Sequence, residues 1–219
     1  MGIVPAAYVL LDLDGTLTDP APGFVGCIRY ALNTLGIAAP SDEHITSHIG
    51  PPLEETLTQL LGPKAADALP EAIRLYRERY SSVGLYENSV YAGVVPALES
   101  MVASGQRLYL ATSKPQVFAA QILDHFDLTR LFSGVYGCQL DGTYADKRDL
   151  LAFLFQQEEV APQNAVMVGD RLHDIRAAQS NNTQSLGVLW GYGSEAELRA
   201  AKADAIISSP AHLAQAVVI

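Results

Sequence analysis

From residue 94 to its end, the chain alternates short apolar runs with stretches whose apolar residues recur at helical spacing. That alternation constrains the fold more than any other feature. Val95, Leu98, Met101 and Val102 share a helical face that Gly105 stops, and residues 108–111 then read as strand. A helix over about 115–125, a short strand near Val135, a helix over 147–157 and a buried strand over 165–168 follow. Helix at 174–180, strand at 185–188, a helix opened by a Ser194–Glu197 capping box and strand at 205–207 continue the series. Residues 212–218 read as a short amphipathic tail. Parallel strands need long crossovers, usually helical, so this order predicts an α/β fold with a doubly wound, Rossmann-like parallel sheet.

An earlier apolar run at 8–11 has the texture of a parallel strand buried on both faces. Residues 22–80 then read as helix after helix: Phe24, Ile28, Ala31, Leu32 and Leu35 up to Gly36, then Leu53, Leu57, Leu60 and Leu61 after Pro51-Pro52, then 72–80. A helical block after the first strand predicts a small all-helical cap domain over residues 19–85, inserted into a core formed by 1–18 and 86–219. The linkers are expected near 18–23 and 84–93.

Composition narrows the function. With 49% hydrophobic and 17% charged residues and a mean hydropathy of +0.14, the 219-residue chain is expected to be a soluble globule. No apolar run approaches the ~20 residues that span a bilayer. The start, MGIVPAAYVLLD, lacks a basic n-region, and Ala6 stands where a myristoylation motif wants Ser or Thr. Cys27 and Cys138 suit small buried hydrophobes in a reducing cytoplasm. A net charge of −10 argues against nucleic acid or an anionic membrane as partner, because both are bound through basic patches. Oligomeric state, monomer or homodimer, is not legible.

The chemistry concentrates at strand ends, where ligands bind in such sheets. LLDLDGTLTD closes the first strand with Asp12 and Asp14; residues two apart on extended chain point the same way, so both can face the crevice. Asp170 follows the strand at 165–168, and Asp174 comes four residues later. Three carboxylates offer the hard oxygens that suit Mg²⁺, which takes one or two protein carboxylates plus a phosphate oxygen. Thr112, after the strand at 108–111, and Lys147, opening a helix, supply a hydroxyl and a countercharge for a phosphate.

D-L-D-G-T-L-T-D, L-A-T-S-K-P, a lone lysine opening a helix and M-V-G-D-R-L-H-D together resemble the four motifs of the haloacid dehalogenase superfamily, phosphatase branch. The resemblance spans essentially the whole chain and is nearest to phosphoglycolate phosphatases and bacterial 5′-nucleotidase-like phosphatases. G-V-L-W-G-Y-G-S and Y-A-G-V-V-P-A-L add to it. It implies a Mg²⁺-dependent phosphatase acting on a small phosphorylated metabolite. In that reading Asp12 is the nucleophile and Asp14 the general acid and base. The metal sits on Asp12, the Asp14 carbonyl and Asp170. Thr112 and Lys147 hold the phosphoryl group, with Ser113 beside them and backbone N–H groups near Leu13 and Gly15 assisting. Asp174 orients Lys147 or a metal-bound water. Gly50, Pro51 and Pro52 match the cap segment that selects substrate in relatives, and His44, His48, Arg29, Arg77 and Arg79 are further cap side chains within its reach.

Three departures stand out: Pro20 for Ser after the motif-one Asp, Ala92 where Tyr-Pro-Gly is usual, and Lys147 in D-K-R-D rather than K-P-x-P, which leaves Lys114 and Arg148 as substitutes. None removes a group the chemistry needs. A haloacid dehalogenase would lack the second acid of D-x-D and need no metal. A phosphosugar mutase shares every motif, and a receiver-type signalling domain shares the aspartate, hydroxyl and lysine without a helical cap.

Overall fold

A computed structural model describes residues 6–217, with the side chains of residues 64–66 left aside. Met1, Gly2 and Val218, which entered the sequence reading, lie outside the described residues. In chain order the elements are β1 (Tyr8–Leu11), β2 (Thr18–Asp19), α1 (Ala21–Thr34), α2 (Asp42–Thr46), α3 (Leu53–Leu61), α4 (Ala65–Arg79), β3 (Ser89–Val90) and α5 (Val94–Ala103). Then come β4 (Arg107–Pro115), α6 (Gln116–His125), β5 (Phe132–Cys138), α7 (Lys147–Gln157) and β6 (Ala165–Gly169). The chain continues through α8 (Leu172–Ser180), β7 (Gln184–Val188), α9 (Glu195–Ala200), β8 (Ala205–Ile207) and α10 (Leu213–Val217). Two compact units emerge, one running up to Thr18 and resuming at Val90, the other Asp19–Ser89.

The first unit is a six-stranded parallel sheet in the order β5-β4-β1-β6-β7-β8. Its register sets Leu10 beside Tyr109 of β4 and Met167 of β6. Those three, with Leu151, Leu154 and Phe155 of α7 and Ala177 and Ala178 of α8, form one core cluster. Leu10 is fully buried, which is worth about 1.5–3 kcal/mol of transfer free energy for such a side chain. From β1 the chain winds outward to β4 and β5, then returns to the other side for β6, β7 and β8. The winding therefore reverses at β1, and the carboxyl ends of β4, β1 and β6 lie side by side at that switch point.

Local details depart from the expected pattern for identifiable reasons. β4 does not end at Ala111 but stays extended to Pro115, with a register irregularity against β5 between Thr112 and Pro115. α4 begins at Ala65 rather than near 72 and carries Pro70 inside it, continuing into a π-helical turn over Tyr80–Gly84. Ser194 accepts the Glu197 N–H (3.1 Å), which is half of the expected capping box. The Glu197 carboxylate instead accepts from the Leu172 N–H (2.8 Å) and Arg171 Nε (3.0 Å), where the first turn of α8 offers unpaired donors.

The second unit is built on α1 against α4 and α3 against α4. Pro20 offers no side-chain cap to α1; Asp19 Oδ1 takes the Ala21 N–H at 3.0 Å instead. Arg79 is held by both oxygens of Glu87 (2.8 and 3.1 Å), Arg29 pairs with Asp42, and His48 Nδ1 lies 2.9 Å from the His44 carbonyl. Gly50 has φ +120°, a conformation that needs glycine, and Pro51 and Pro52 lead directly into α3. Among the described residues no helix is long and apolar enough to cross a membrane.

Candidate active site

The backbone of Asp12 is still pinned to the sheet, its N–H donating to Val168 O at 3.0 Å. Its Oδ1 accepts from the Leu13 N–H (2.8 Å) and pairs with Lys147 Nζ (3.0 Å). Among the described residues no hydrogen bond reaches Oδ2. Lys147 opens α7, whose N-cap is Asp146, and its side chain is only 5% exposed. Its Nζ also donates to Asp174 Oδ1 at 2.5 Å, while Asp174 Oδ2 accepts the Arg171 N–H at 3.1 Å. Burial pulls the Lys147 pKa down, but the carboxylates of Asp12 and Asp174 outweigh it and hold the ammonium charged, above the usual lysine range.

Asp170 follows β6 and is fully buried. Its Oδ2 accepts the Tyr192 N–H at 2.7 Å, and Thr16 Oγ1 stands 3.5 Å from Oδ1. No ion pair reaches it among the described residues. Burial first, then the nearby Asp174 and Asp12, push its pKa up to about 8. Carboxylate oxygens of Asp12, Asp170 and Asp174 all lie within 4.8 Å of one another. Three carboxylates against the one ammonium that pairs with them, Lys147, leave two negative charges when all are ionised. Buried charge of that size must be neutralised, by a proton on one carboxyl group or by a cation. Lys147 Nζ and the Arg171 N–H occupy the two oxygens of Asp174, and the Tyr192 N–H occupies Asp170 Oδ2. That leaves Asp12 Oδ2 and Asp170 Oδ1, the latter with only the long 3.5 Å contact to Thr16, as hard oxygen donors of the kind a small divalent cation takes. The residues present fit such an ion.

A pH dependence follows with a definite sign. A carboxyl titrating near 8 when folded and near 4 when unfolded keeps its proton in the folded state between those values. Its contribution is therefore full below about pH 4 and lost as pH rises through about 8. In EDTA, the protein should melt at lower temperature as the buffer is taken from pH 5 to pH 9, and the slope should flatten in Asp170→Asn. Identical slopes in the two proteins would remove this account of Asp170.

Beside this cluster stands a second ion pair. Lys114 Nζ donates to Asp14 Oδ1 at 2.7 Å, with side chains 9% and 19% exposed. Burial raises the Asp14 pKa above the usual carboxylate value, and Lys114 opposes the shift. Thr112 is buried, its Oγ1 accepting the Lys114 N–H at 3.3 Å. Ser113 is half-buried, and its carbonyl accepts from Cys138 Sγ.

Asp12 Oδ1 accepts the Leu13 N–H and Thr18 O the Gly15 N–H (2.8 Å each). Gly15 also shapes the turn: its φ is +82°, and a Cβ there would collide with the Asp170 carboxylate. Lys114, named in the sequence only as a substitute for Lys147, stands beside Asp14. The signal was the extended course of β4 to Pro115, which places Thr112 and Lys114 two residues apart by the alternation that pairs Asp12 with Asp14. Trp190 and Tyr192, which read in the sequence as packing residues, also make polar contacts at the site. Trp190 Nε1 donates to Thr16 O at 2.9 Å, and Tyr192 carries the amide that meets Asp170. Gly50, Pro51 and Pro52 belong to the Asp19–Ser89 unit.

A family model described as haloacid dehalogenase-like hydrolase matches residues 9–188. Among similar proteins, a 5′-nucleotidase of Pseudomonas aeruginosa is 44% identical over 88% of this chain and 86% of its own. A protein named tyrosine-protein kinase PtkA from Mycobacterium tuberculosis is 41% identical over 84% of this chain, which spans 62% of that protein. Among solved structures, a predicted phosphatase from Clostridium acetobutylicum superposes with a TM-score of 0.91 at 36% identity, covering 97% of this chain and 98% of its own.

Proposed function

Because the chain belongs to the haloacid dehalogenase-like hydrolases, we propose that it is a Mg²⁺-dependent phosphomonoester hydrolase that carries the phosphoryl group covalently on Asp12. The observation that supports this best is the buried group of Asp12, Asp170 and Asp174 with a single lysine among them. Asp12, the Asp14 carbonyl and Asp170 would hold a divalent cation, which would supply countercharge to the buried acids and Lewis acidity toward a phosphoryl oxygen.

The protein's own groups divide the rest of the work. Asp12 Oδ2 attacks phosphorus while the bond from phosphorus to the alcohol oxygen breaks, and Asp14 delivers its proton to that leaving oxygen. Burial, which favours the protonated form of Asp14, suits it to that first role. Asp14 then takes a proton from a water that attacks the phosphorylated Asp12, and the acyl–phosphate bond breaks to release inorganic phosphate. Lys147 holds Asp12 in place and, with the Thr112 hydroxyl, offsets charge on the transferring group.

A nucleoside 5′-monophosphate is the first candidate substrate, by likeness to the 5′-nucleotidase relative. The test is phosphate release from a panel of nucleoside 5′-monophosphates, phosphoglycolate and hexose phosphates. Mg²⁺ should support release and EDTA abolish it; no release from any compound, or release indifferent to EDTA, overturns the reading. Sugar phosphates recovered as isomers without free phosphate would mark a mutase. Asp14→Asn should lose roughly 10²- to 10⁴-fold in turnover, the usual worth of a general acid–base group, while phosphoenzyme still forms. Normal turnover in that variant would take the proton-transfer role away from Asp14.

A further inference from the structure

The turn Trp190–Gly193, just after β7, touches the site at four points and belongs to none of the reacting groups. Tyr192 donates its backbone N–H to Asp170 Oδ2 at 2.7 Å. Trp190 Nε1 donates to the Thr16 carbonyl at 2.9 Å, inside the turn that follows Asp12 and Asp14. Gly191 lies so close that a Cβ would collide with Gly15 O and with the side chain of Asp170. At Gly193 a Cβ would collide with the Asp170 carbonyl. Neither glycine has a positive φ, so the need for glycine at both positions is one of space and not of backbone conformation. One short segment thus reaches the ends of both β1 and β6, using an indole N–H on one, an amide N–H on the other and close backbone approach to both.

We propose that Trp190–Gly193 is a positioning clamp that sets the Asp170 carboxylate and the Gly15–Thr16 turn in the arrangement that binds the divalent cation. Among the described residues Asp170 makes no ion pair, and its side-chain hydrogen bond to Thr16 is long at 3.5 Å. The Tyr192 amide is therefore its principal fixed hydrogen bond. A carboxylate held by a backbone amide in a glycine-lined slot keeps one orientation, and partners behind a metal ligand commonly matter 10- to 100-fold for metal affinity. This inference rests on the functional reading above for the presence of the cation, and its test reads metal binding directly.

Mg²⁺ and Mn²⁺ dissociation constants are measured on the metal-free full-length chain by calorimetry, and by the EPR signal of free Mn²⁺, for the wild type, Trp190→Phe and Gly191→Ala. Trp190→Phe keeps an aromatic side chain but loses the indole N–H donor together with the five-membered ring, so it should fold and weaken metal binding by about 10-fold, with kcat regained at saturating Mg²⁺. Gly191→Ala should weaken binding further; if it does not fold, Trp190→Phe decides alone. A general loosening of the fold would lower the melting temperature of the metal-free protein and leave the dissociation constant unchanged. Wild-type affinity in a folded Trp190→Phe protein overturns the clamp while the functional reading stands. A wild-type chain that takes up neither ion overturns that reading and the clamp with it.

Discussion

Asp12→Asn should lose about 10⁴- to 10⁶-fold in turnover of p-nitrophenyl phosphate, the scale reached when the nucleophile of a covalent enzyme is removed. No phosphoenzyme should be trapped on acid quench, whereas the wild type should yield one. Position 12 is where the loss must be largest, because its free Oδ2 is the atom proposed to bond to phosphorus. The amide also weakens the contact to Lys147, now 3.0 Å from Oδ1, yet it removes one of the three crowded carboxylates. The fold should accordingly survive, with a melting temperature near or above that of the wild type in EDTA. An Asp12→Asn protein that turns over at the wild-type rate ends the covalent mechanism.

Lys147→Met should be the most damaging substitution for stability. It removes the one cation that pairs with Asp12 and Asp174, whose side chains are 8% and 1% exposed, and leaves buried carboxylates facing each other. Breaking a buried ion pair by deleting one partner costs about 3–5 kcal/mol, and urea unfolding at pH 7.5 in EDTA should show a loss of that order. The deficit should shrink at pH 5, where crowded acids with raised pKa values can take up protons, and with added Mg²⁺, which replaces the lost charge. Turnover should fall by 10²-fold or more, as when a charge-stabilising donor is removed from other active sites. A Lys147→Met protein as stable as the wild type at pH 7.5 would mean that the Lys147 ammonium does not offset buried charge on Asp12 and Asp174.

Much of this was legible in one dimension. Parallel strands buried on both faces must be uniformly apolar, so 8–11, 108–111 and 165–168 announced themselves, and the helical runs between them allowed only a wound parallel sheet. The strand order came from the structure: β1 stands at the reversal of the sheet with β4 and β6 on either side, which brings the ends bearing Asp12, Thr112 and Asp170 together. Less legible were features set by partners distant in sequence. Glu197 looked like half of a local capping box because Ser194 is three residues away along the chain, but its carboxylate meets the Leu172 N–H and Arg171 Nε at the start of α8. Lys114 entered the sequence reading only as a substitute for Lys147, because β4 seemed to stop at Ala111. Its ammonium is opposite Asp14, one hundred residues earlier.

What the sequence determined by itself was the order of elements and the identity of the acids, lysine and hydroxyl at the strand ends. Periodicity and local motif chemistry are properties of neighbours along the chain. Which lysine pairs with which acid, which carboxylate is left without a cation, and which turn closes over Asp170 are decided by packing. Lys147 with Asp12 and Asp174, Lys114 with Asp14, and Tyr192 with Asp170 are each joined across 22 or more residues. At such separations only the register of β4, β1, β6 and β7 brings the groups within hydrogen-bond reach, and only burial in that arrangement gives their charges the strength to matter.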